Sequence, residues 1–220
     1  MLIAKRNVRK EPQSLAKFMR EGRDDLKQCS TYRDAIFAGE FLPPRVVRAI
    51  YDLGIQGLIV SNQWGPSEVT VQTSCHNPAY PAEDATNLPI GRGLANCSHY
   101  IVDALLQPVP AGVIGEICQG GPQVSRGYMG RPAETARGFV QDVFAGPEYI
   151  AQGWTTMYRT GDRGRFLRHG QMECHGRIAG DTQVKLRGFR MDLAEVENEF
   201  YAAAKRLGSS VVDVVVVPAP

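Results

Sequence analysis

The sequence reads as a mixed α/β chain on three observations. Near the N-terminus an apolar run, a helical repeat and further apolar runs follow one another, the order of a parallel strand–helix–strand unit. From about residue 87 to residue 176, short apolar runs alternate with Gly and Pro turns, the texture of a small barrel or distorted β-sheet. Beyond residue 180 a hairpin-like segment leads into one amphipathic helix and a valine-rich strand. This pattern divides the chain into residues 1–86, 87–178 and 179–220.

In the first region Ala35 to Phe37 is a short apolar run, readable as a strand. Pro43 and Pro44 suit the first turn of a helix. Val46, Val47 and Ile50 then recur at helical spacing, and Gly54 is placed to stop that helix. Gly57 to Val60 and Val69 to Thr73 read as two further strands with a Gly-Pro turn between them. In the second region the apolar runs are Tyr100 to Val102, Val113 to Cys118, Phe166 with Leu167, and Gln171 to Cys174. Helical signal there is confined to a turn or two around Pro132 to Phe139. The third region opens with the hairpin-like Thr182 to Gly188. Asp192 then caps a helix, Glu195 completes a capping box, and Gly208 ends it. Leu193, Val196, Phe200 and Leu207 form its apolar face. Val211 to Val217, interrupted only by Asp213, is a strand of the kind that lies inside a sheet.

Composition narrows the function classes. Of the 220 residues, 43% are hydrophobic and 22% charged, ordinary for a soluble globular protein. The formal charge of +2 gives no reason to expect nucleic acid or an anionic membrane as a partner. No apolar run approaches the roughly 20 residues of a membrane-spanning helix. Met1 to Arg9 is basic but has no apolar core behind it, so it is not a secretory signal; an Arg-rich organelle presequence stays compatible with it. The five cysteines, Cys29, Cys75, Cys97, Cys118 and Cys174, form no C-x-x-C pair. Neither a zinc knuckle nor a disulfide framework is supported, and free thiols in a reducing cytoplasm are expected. Cys174, His175 and the nearby His169 are metal-ligating types without the spacing of a zinc site.

Three polar clusters carry chemistry. Asn62-Gln63-Trp64-Gly65-Pro66-Ser67-Glu68 sets an amide, a ring, a tight turn, a hydroxyl and a carboxylate within seven residues, just after a strand. A planar base can stack on Trp64 while Asn62 reads its polar edge. Ser67 can donate to a phosphate, and Glu68 can hold Mg²⁺, which prefers oxygen ligands and bridges phosphates. Taken alone, the segment is better accounted for by a packed Trp beside a Gly-Pro turn. Tyr158-Arg159-Thr160-Gly161-Asp162 reads as a turn whose Asp can accept both hydroxyls of a ribose, or as an Asx-type turn between strands. Gly176-Arg177 followed by Asp181 to Gly188 reads as a solvated hairpin, or as a hinge with a loop on the catalytic face.

In this order the clusters resemble the adenylation domains of nonribosomal peptide synthetases, relatives of acyl-CoA synthetases and firefly luciferase. Ala38-Gly39-Glu40 looks like the family's strand ending in A/G-G-E, and Asn62 to Glu68 resembles N-x-Y-G-P-T-E. Gly115-Glu116-Ile117-Cys118, Gly120-Gly121 and Ser125-Arg126-Gly127-Tyr128 resemble G-E-L-x-x-G-G-x-x-x-A-R-G-Y. Tyr158 to Asp162 is Y-R-T-G-D unchanged. Gly176 to Leu193 resembles G-R-x-D-x-Q-V-K-x-R-G-x-R-I-E-L, with two extra residues between Arg177 and Asp181. The Gly-Asp-Thr-Gln form of that segment is similar to fungal hybrid polyketide–peptide synthetases.

The resemblance implies roles. Asn62 contacts the adenine amino group and Trp64 stacks in place of the usual Tyr, with Gly65 forming the turn. Ser67 lies near the α-phosphate, Glu68 ligates Mg²⁺, and Asp162, assisted by Arg177, holds the ribose hydroxyls of ATP or AMP. Asp181 is the hinge of a small C-terminal lobe, and Gly188 lines the path of the phosphopantetheine arm of a peptidyl carrier protein. Ile36, Ala38, Gln63, Val71 and Gln72 line the side-chain pocket, a mixture that favours a polar uncharged substrate.

The implied fold is the C-terminal part of a large α/β subdomain, then a small distorted β-barrel, then the start of an α+β lobe. The family's phosphate loop and ammonium-binding Asp are expected upstream of Met1, and its catalytic Lys downstream of Pro220; neither Lys185 nor Lys205 sits in that motif. The chain is therefore expected to be cut at both ends and to lack ATP–pyrophosphate exchange alone, with the rest of a parent synthetase as partner. Three classes stand at this point: part of an amino-acid-activating enzyme, an adenylate-forming ligase for another carboxylic acid, or a non-catalytic nucleotide-binding or interaction fragment.

Overall fold

The computed structural model describes residues 22–28, 32–39, 41–178, 183–186 and 189–208. The chain divides into two compact units, Met1–Ile178 and Ala179–Pro220.

Among the described residues the first unit opens with helix α1 (Arg23–Gln28) and strand β1 (Asp34–Ala38). Helix α2 (Pro44–Tyr51) starts where Pro44 fits the first turn, and its buried Val46, Val47 and Ile50 face one way. The chain leaves it through Gly54, whose φ of +69° suits a residue without a side chain. Strand β2 (Ile59–Trp64) then lies parallel to β1, with Ala35 opposite Val60 and Ala38 opposite Gln63. Ala35, Val60 and the apolar face of α2 close one core with Leu53, Leu58 and Leu88. Because side chains alternate along a strand, Ile36, Ala38 and Gln63 leave the opposite face.

Two expectations are corrected here. Strand β2 runs through Asn62, Gln63 and Trp64 rather than ending before them, because these residues pair with β1 and with β3 (Ser74–His76). The expected strand Val69 to Thr73 is absent. Residues Ser67–Val69 form a 3-10 turn, and Thr70 and Val71 are left-handed at φ 64° and 70°. The Pro66 carbonyl accepts from the amides of both Val69 and Val71, at 3.1 Å each, so local turn bonds override the β-branched pattern. Strand β4 (Arg92–Gly93) completes the sheet in the order β1-β2-β3-β4, parallel at one end and antiparallel at the other.

The second region is a five-stranded antiparallel sheet. Strands β5 (Ser98–Val102), β6 (Gly115–Gly120) and β8 (Thr156–Phe166) are consecutive neighbours. Strands β7 (Phe139–Gln141) and β9 (Met172–Arg177) share the far edge of β8, one at each end. The sheet stays open, so the expected barrel is a distorted sheet. Helices α3 (Pro132–Gly138) and α4 (Pro147–Ala151) flank β7. The segment Tyr158 to Asp162, read as a turn, is strand: β8 carries it, interrupted by Gly161 at φ +70°, by a register shift against β6 between Arg159 and Arg163, and by another against β9 beyond Asp162. Ile90, Ile101, Ile117 and Met172 form one core here; Val102, Cys118 and Met157 form another.

The second unit holds the hairpin β10 (Gln183–Leu186) and β11 (Phe189–Asp192), then helix α5 (Leu193–Arg206). Gly208 follows at φ +69°, its amide bonded to the Lys205 carbonyl. On the expected apolar face Phe200 and Leu207 are exposed. Glu40, Asp181, Gly188 and Val211 to Val217 lie outside the described residues. Among the described residues no helix is long and apolar enough to cross a membrane.

Candidate functional site

The segment after β2 is a closed loop whose two ends meet. The Thr73 amide donates to the Trp64 carbonyl at 3.0 Å. A Cβ on Gly65 would come within 2.8 Å of the Val71 carbonyl oxygen, so only glycine lets the backbone fold back this tightly. Trp64 itself packs against the core of Ile90, Ile101, Ile117 and Met172, which belongs to the second region. Ser67 is exposed at the start of the 3-10 turn. Glu68, one residue on, is only 6% exposed.

A buried carboxylate needs a donor, and a second loop supplies one and ties down the Glu68 backbone as well. The Tyr128 hydroxyl donates to Glu68 Oε1 at 2.7 Å, and the Ser125 amide donates to the Glu68 carbonyl at 2.8 Å. The Thr70 hydroxyl reaches back to the Gln123 carbonyl at 2.9 Å. Tyr128 in turn lies 3.1 Å from the Tyr158 hydroxyl, with Phe139 packed against both rings. Glu68 is thus tied to strand β8, four residues ahead of Asp162.

Asp162 sits where β8 bulges. Its amide donates to Thr160 Oγ1 at 3.0 Å, and that hydroxyl donates to the Ile117 carbonyl at 2.7 Å. Arg177, its direct partner on β9, donates to Asp162 Oδ1 at 2.9 Å and also to the Thr160 carbonyl. Glu116 fixes the other side of the bulge. It accepts from Arg159 Nε at 3.0 Å, Arg159 Nη2 at 2.6 Å and the Gly161 amide at 3.1 Å. The ion pair holds the Arg159 guanidinium above its ordinary pKa.

Asn62 is buried, and its Nδ2 donates to the Pro89 carbonyl at 2.9 Å. Ile36, Ala38 and Gln63 share a face of the first sheet, while Val71 and Gln72 stand exposed on the loop. Among the described residues no group of three acidic, His or Cys side chains is placed to hold a metal ion. His175 instead lies 3.3 Å from Glu173, which also binds Arg165.

A profile described as AMP-binding enzyme matches residues 8–129. The chain belongs to that family. The hybrid PKS-NRPS synthetase pynA of Aspergillus niger is 47% identical over 98% of this chain. Fusarin C synthetase of Gibberella moniliformis is 38% identical over 93% of it. The chain spans only 6% of the length of each of these relatives. Among solved structures, PA1221, an NRPS protein containing adenylation and PCP domains, superposes with a TM-score of 0.71 at 27% identity. That match covers 95% of this chain and 43% of PA1221. IdnL1 superposes at 0.68 with 29% identity, over 85% of this chain and 41% of its own. The chain is thus similar to adenylation domains of nonribosomal peptide synthetases, with fungal hybrid synthetases among its relatives.

Several residues that shape this candidate site were assigned no role from the sequence. Glu116, Tyr128, Arg159 and Thr160 all lie inside the quoted motifs, yet their work is to hold Glu68 and the Asp162 bulge. A charged residue in the middle of the apolar β6 run, with an Arg far along the chain, was the one available signal for Glu116.

Proposed function

We propose that this chain forms the nucleotide-facing part of an adenylation domain that activates an amino acid. The reaction joins a carboxylate to the α-phosphate of ATP and expels pyrophosphate, after which the acyl group passes to a carrier-protein thiol. One observation carries the reading: the tyrosine pair Tyr128 and Tyr158 links the Glu68 carboxylate to the strand that bears Asp162.

Each assigned residue offers a matching group. Nδ2 of Asn62 is committed to Pro89, which fixes the amide and leaves Oδ1 to accept from the adenine amino group. Trp64 offers a ring face to the base. Arg177 occupies Oδ1 of Asp162, so the second carboxylate oxygen accepts from the ribose hydroxyls. Ser67, exposed at its turn, donates to a phosphate oxygen. As a single carboxylate, Glu68 would suit Mg²⁺, which takes one or two carboxylates and fills its shell with water and phosphate oxygens. When bound, Mg²⁺ offsets phosphate charge. Fixed donors and cations at such a centre are worth about 10²- to 10³-fold each in rate. Ile36, Ala38, Gln63, Val71 and Gln72 would receive a polar, uncharged side chain. Asp181 and Gly188 would serve as hinge and pantetheine path, with a peptidyl carrier protein as partner. The reducing cytoplasm is the proposed setting, in keeping with the free thiols of Cys75, Cys97 and Cys118.

Calorimetric titration of the chain with AMP tests the reading. Millimolar or tighter binding that is lost in Asp162→Ala supports it; binding untouched by that change refutes it.

A further inference from the structure

Strands β5, β6 and β8 carry one cross-strand row toward the Trp64 loop. His99, Gln119 and Tyr158 are direct ladder partners, so their side chains leave the same face of the sheet. Tyr158 reaches the Glu68 end of the loop through Tyr128. The other two reach its far end at a single atom. Gln119 Nε2 donates to Thr73 Oγ1 at 2.5 Å, and His99 Nε2 lies 3.3 Å from the same oxygen.

Thr73 is fully buried and all its polar groups are engaged. Its amide donates to the Trp64 carbonyl, and its own carbonyl accepts from the Leu94 amide at 2.8 Å. Its hydroxyl accepts from Gln119 and has one proton to share between His99 Nε2 and the Trp64 carbonyl, 3.4 Å away. Gln119 is fully buried as well. The His99 ring is wedged in place: a Cβ on Gly93 would come within 2.7 Å of its Nδ1. Its centroid lies 6.5 Å from that of Trp64, the planes tilted by 45°. Burial lowers the His99 pKa to about 4, so the ring beside the indole is neutral at pH 7.

Burying a hydroxyl, an amide and an imidazole costs free energy that apolar side chains of similar volume would not incur. The hydrogen bonds offset part of that cost, Gln119 Oε1 having no partner among the described residues, and they do so only in one geometry, which fixes where the loop returns to Trp64. We infer that Thr73, Gln119 and His99 are positioning residues for Trp64, and through it for the nucleobase. The base-contacting role rests on the function proposed above; the orientation of Trp64 does not.

Trp64 and Trp154 are the two tryptophans of the chain, so a Trp154→Phe background isolates the emission of Trp64. In that background Thr73→Val keeps the shape but removes the hydroxyl, and Thr73→Ser restores it. The valine variant is expected to shift Trp64 emission to the red, to raise its quenching by acrylamide, and to weaken AMP about tenfold, the equivalent of one hydrogen bond. The serine variant is expected to keep emission and affinity within about twofold of the parent. Gln119→Leu, which removes the donor at similar volume, should reproduce the valine result and serves if the valine variant fails to fold. Unchanged emission in both Thr73→Val and Gln119→Leu, or equal damage from Ser and Val, overturns the inference. Should the parent chain show no affinity for AMP, the proposed function fails, and the emission results alone still decide the positioning role.

Discussion

Replacing Glu116 with alanine removes three hydrogen bonds, two to the Arg159 side chain and one to the Gly161 amide, from the strand that presents Asp162. The carboxylate is 7% exposed and binds Arg159 through two nitrogens and Gly161 through its amide. Hydrogen bonds to a charged group contribute about 1.5–3 kcal/mol. The Arg159 side chain is 37% exposed and rehydrates once released, which brings its share down to roughly 1–2 kcal/mol. The Gly161 amide adds about 1 kcal/mol, for a total of about 2–3 kcal/mol. With a urea slope near 2 kcal/mol per molar, the unfolding midpoint should fall by about 1–1.5 M. Tryptophan emission reports this unit directly, since Trp64 and Trp154 both lie within it. Glu116→Gln keeps an acceptor for Gly161 but loses the ion pair, so its midpoint should fall by only about half as much. A Glu116→Ala midpoint within about 0.3 M of the parent would show that the bulge is held by something else. Equal losses in both variants would place the whole effect on Arg159.

Further outcomes follow from single contacts. A Cβ on Gly91 would sit 1.9 Å from the Cys75 carbonyl oxygen in a backbone at φ +92°, whereas Gly112, at φ +90°, has open space. Gly112→Ala should therefore cost about 1 kcal/mol and Gly91→Ala more than about 3 kcal/mol in urea unfolding; equal losses would contradict this. His99 has a folded pKa of about 4 against 6.5 unfolded. The unfolded chain thus takes up its proton first as pH falls, and the contribution is complete above pH 6.5 and lost progressively toward pH 4. The stability difference between the parent and His99→Gln should shrink across that window by on the order of 3 kcal/mol; a flat difference would mean the ring is not desolvated. Burial pushes the Cys118 thiol up to about 12, so at pH 8 it should resist alkylation until denaturant is added, as peptide mapping by mass spectrometry would show. Rapid labelling of folded chain would place Cys118 at the surface.

How much of this was legible in the sequence depends on where each bond partner lies. The β1–α2 unit was readable because Pro44, the Val46–Ile50 repeat and Gly54 act locally. Strand character at Asn62 to Trp64 and at Tyr158 to Asp162 was not, since polar residues there are held by neighbours far along the chain. The Val69 to Thr73 run misled because the Pro66 carbonyl captures two amides that a strand would have used. Trp64, Glu68 and Asp162 stood out as chemical types in recognisable spacing. Their supports, Thr73, Gln119, His99, Glu116 and Tyr128, did not, because which side chains meet across a sheet is set by register. In β6 and β8 that register shifts at bulges no local pattern announces.

A crystal structure of the chain grown with AMP would judge the account most directly. The purine is expected flat against the Trp64 indole, with the ribose hydroxyls on Asp162 and the phosphate toward Ser67 and Glu68. Nucleotide bound on another face, with Trp64 and Asp162 both untouched, would contradict it.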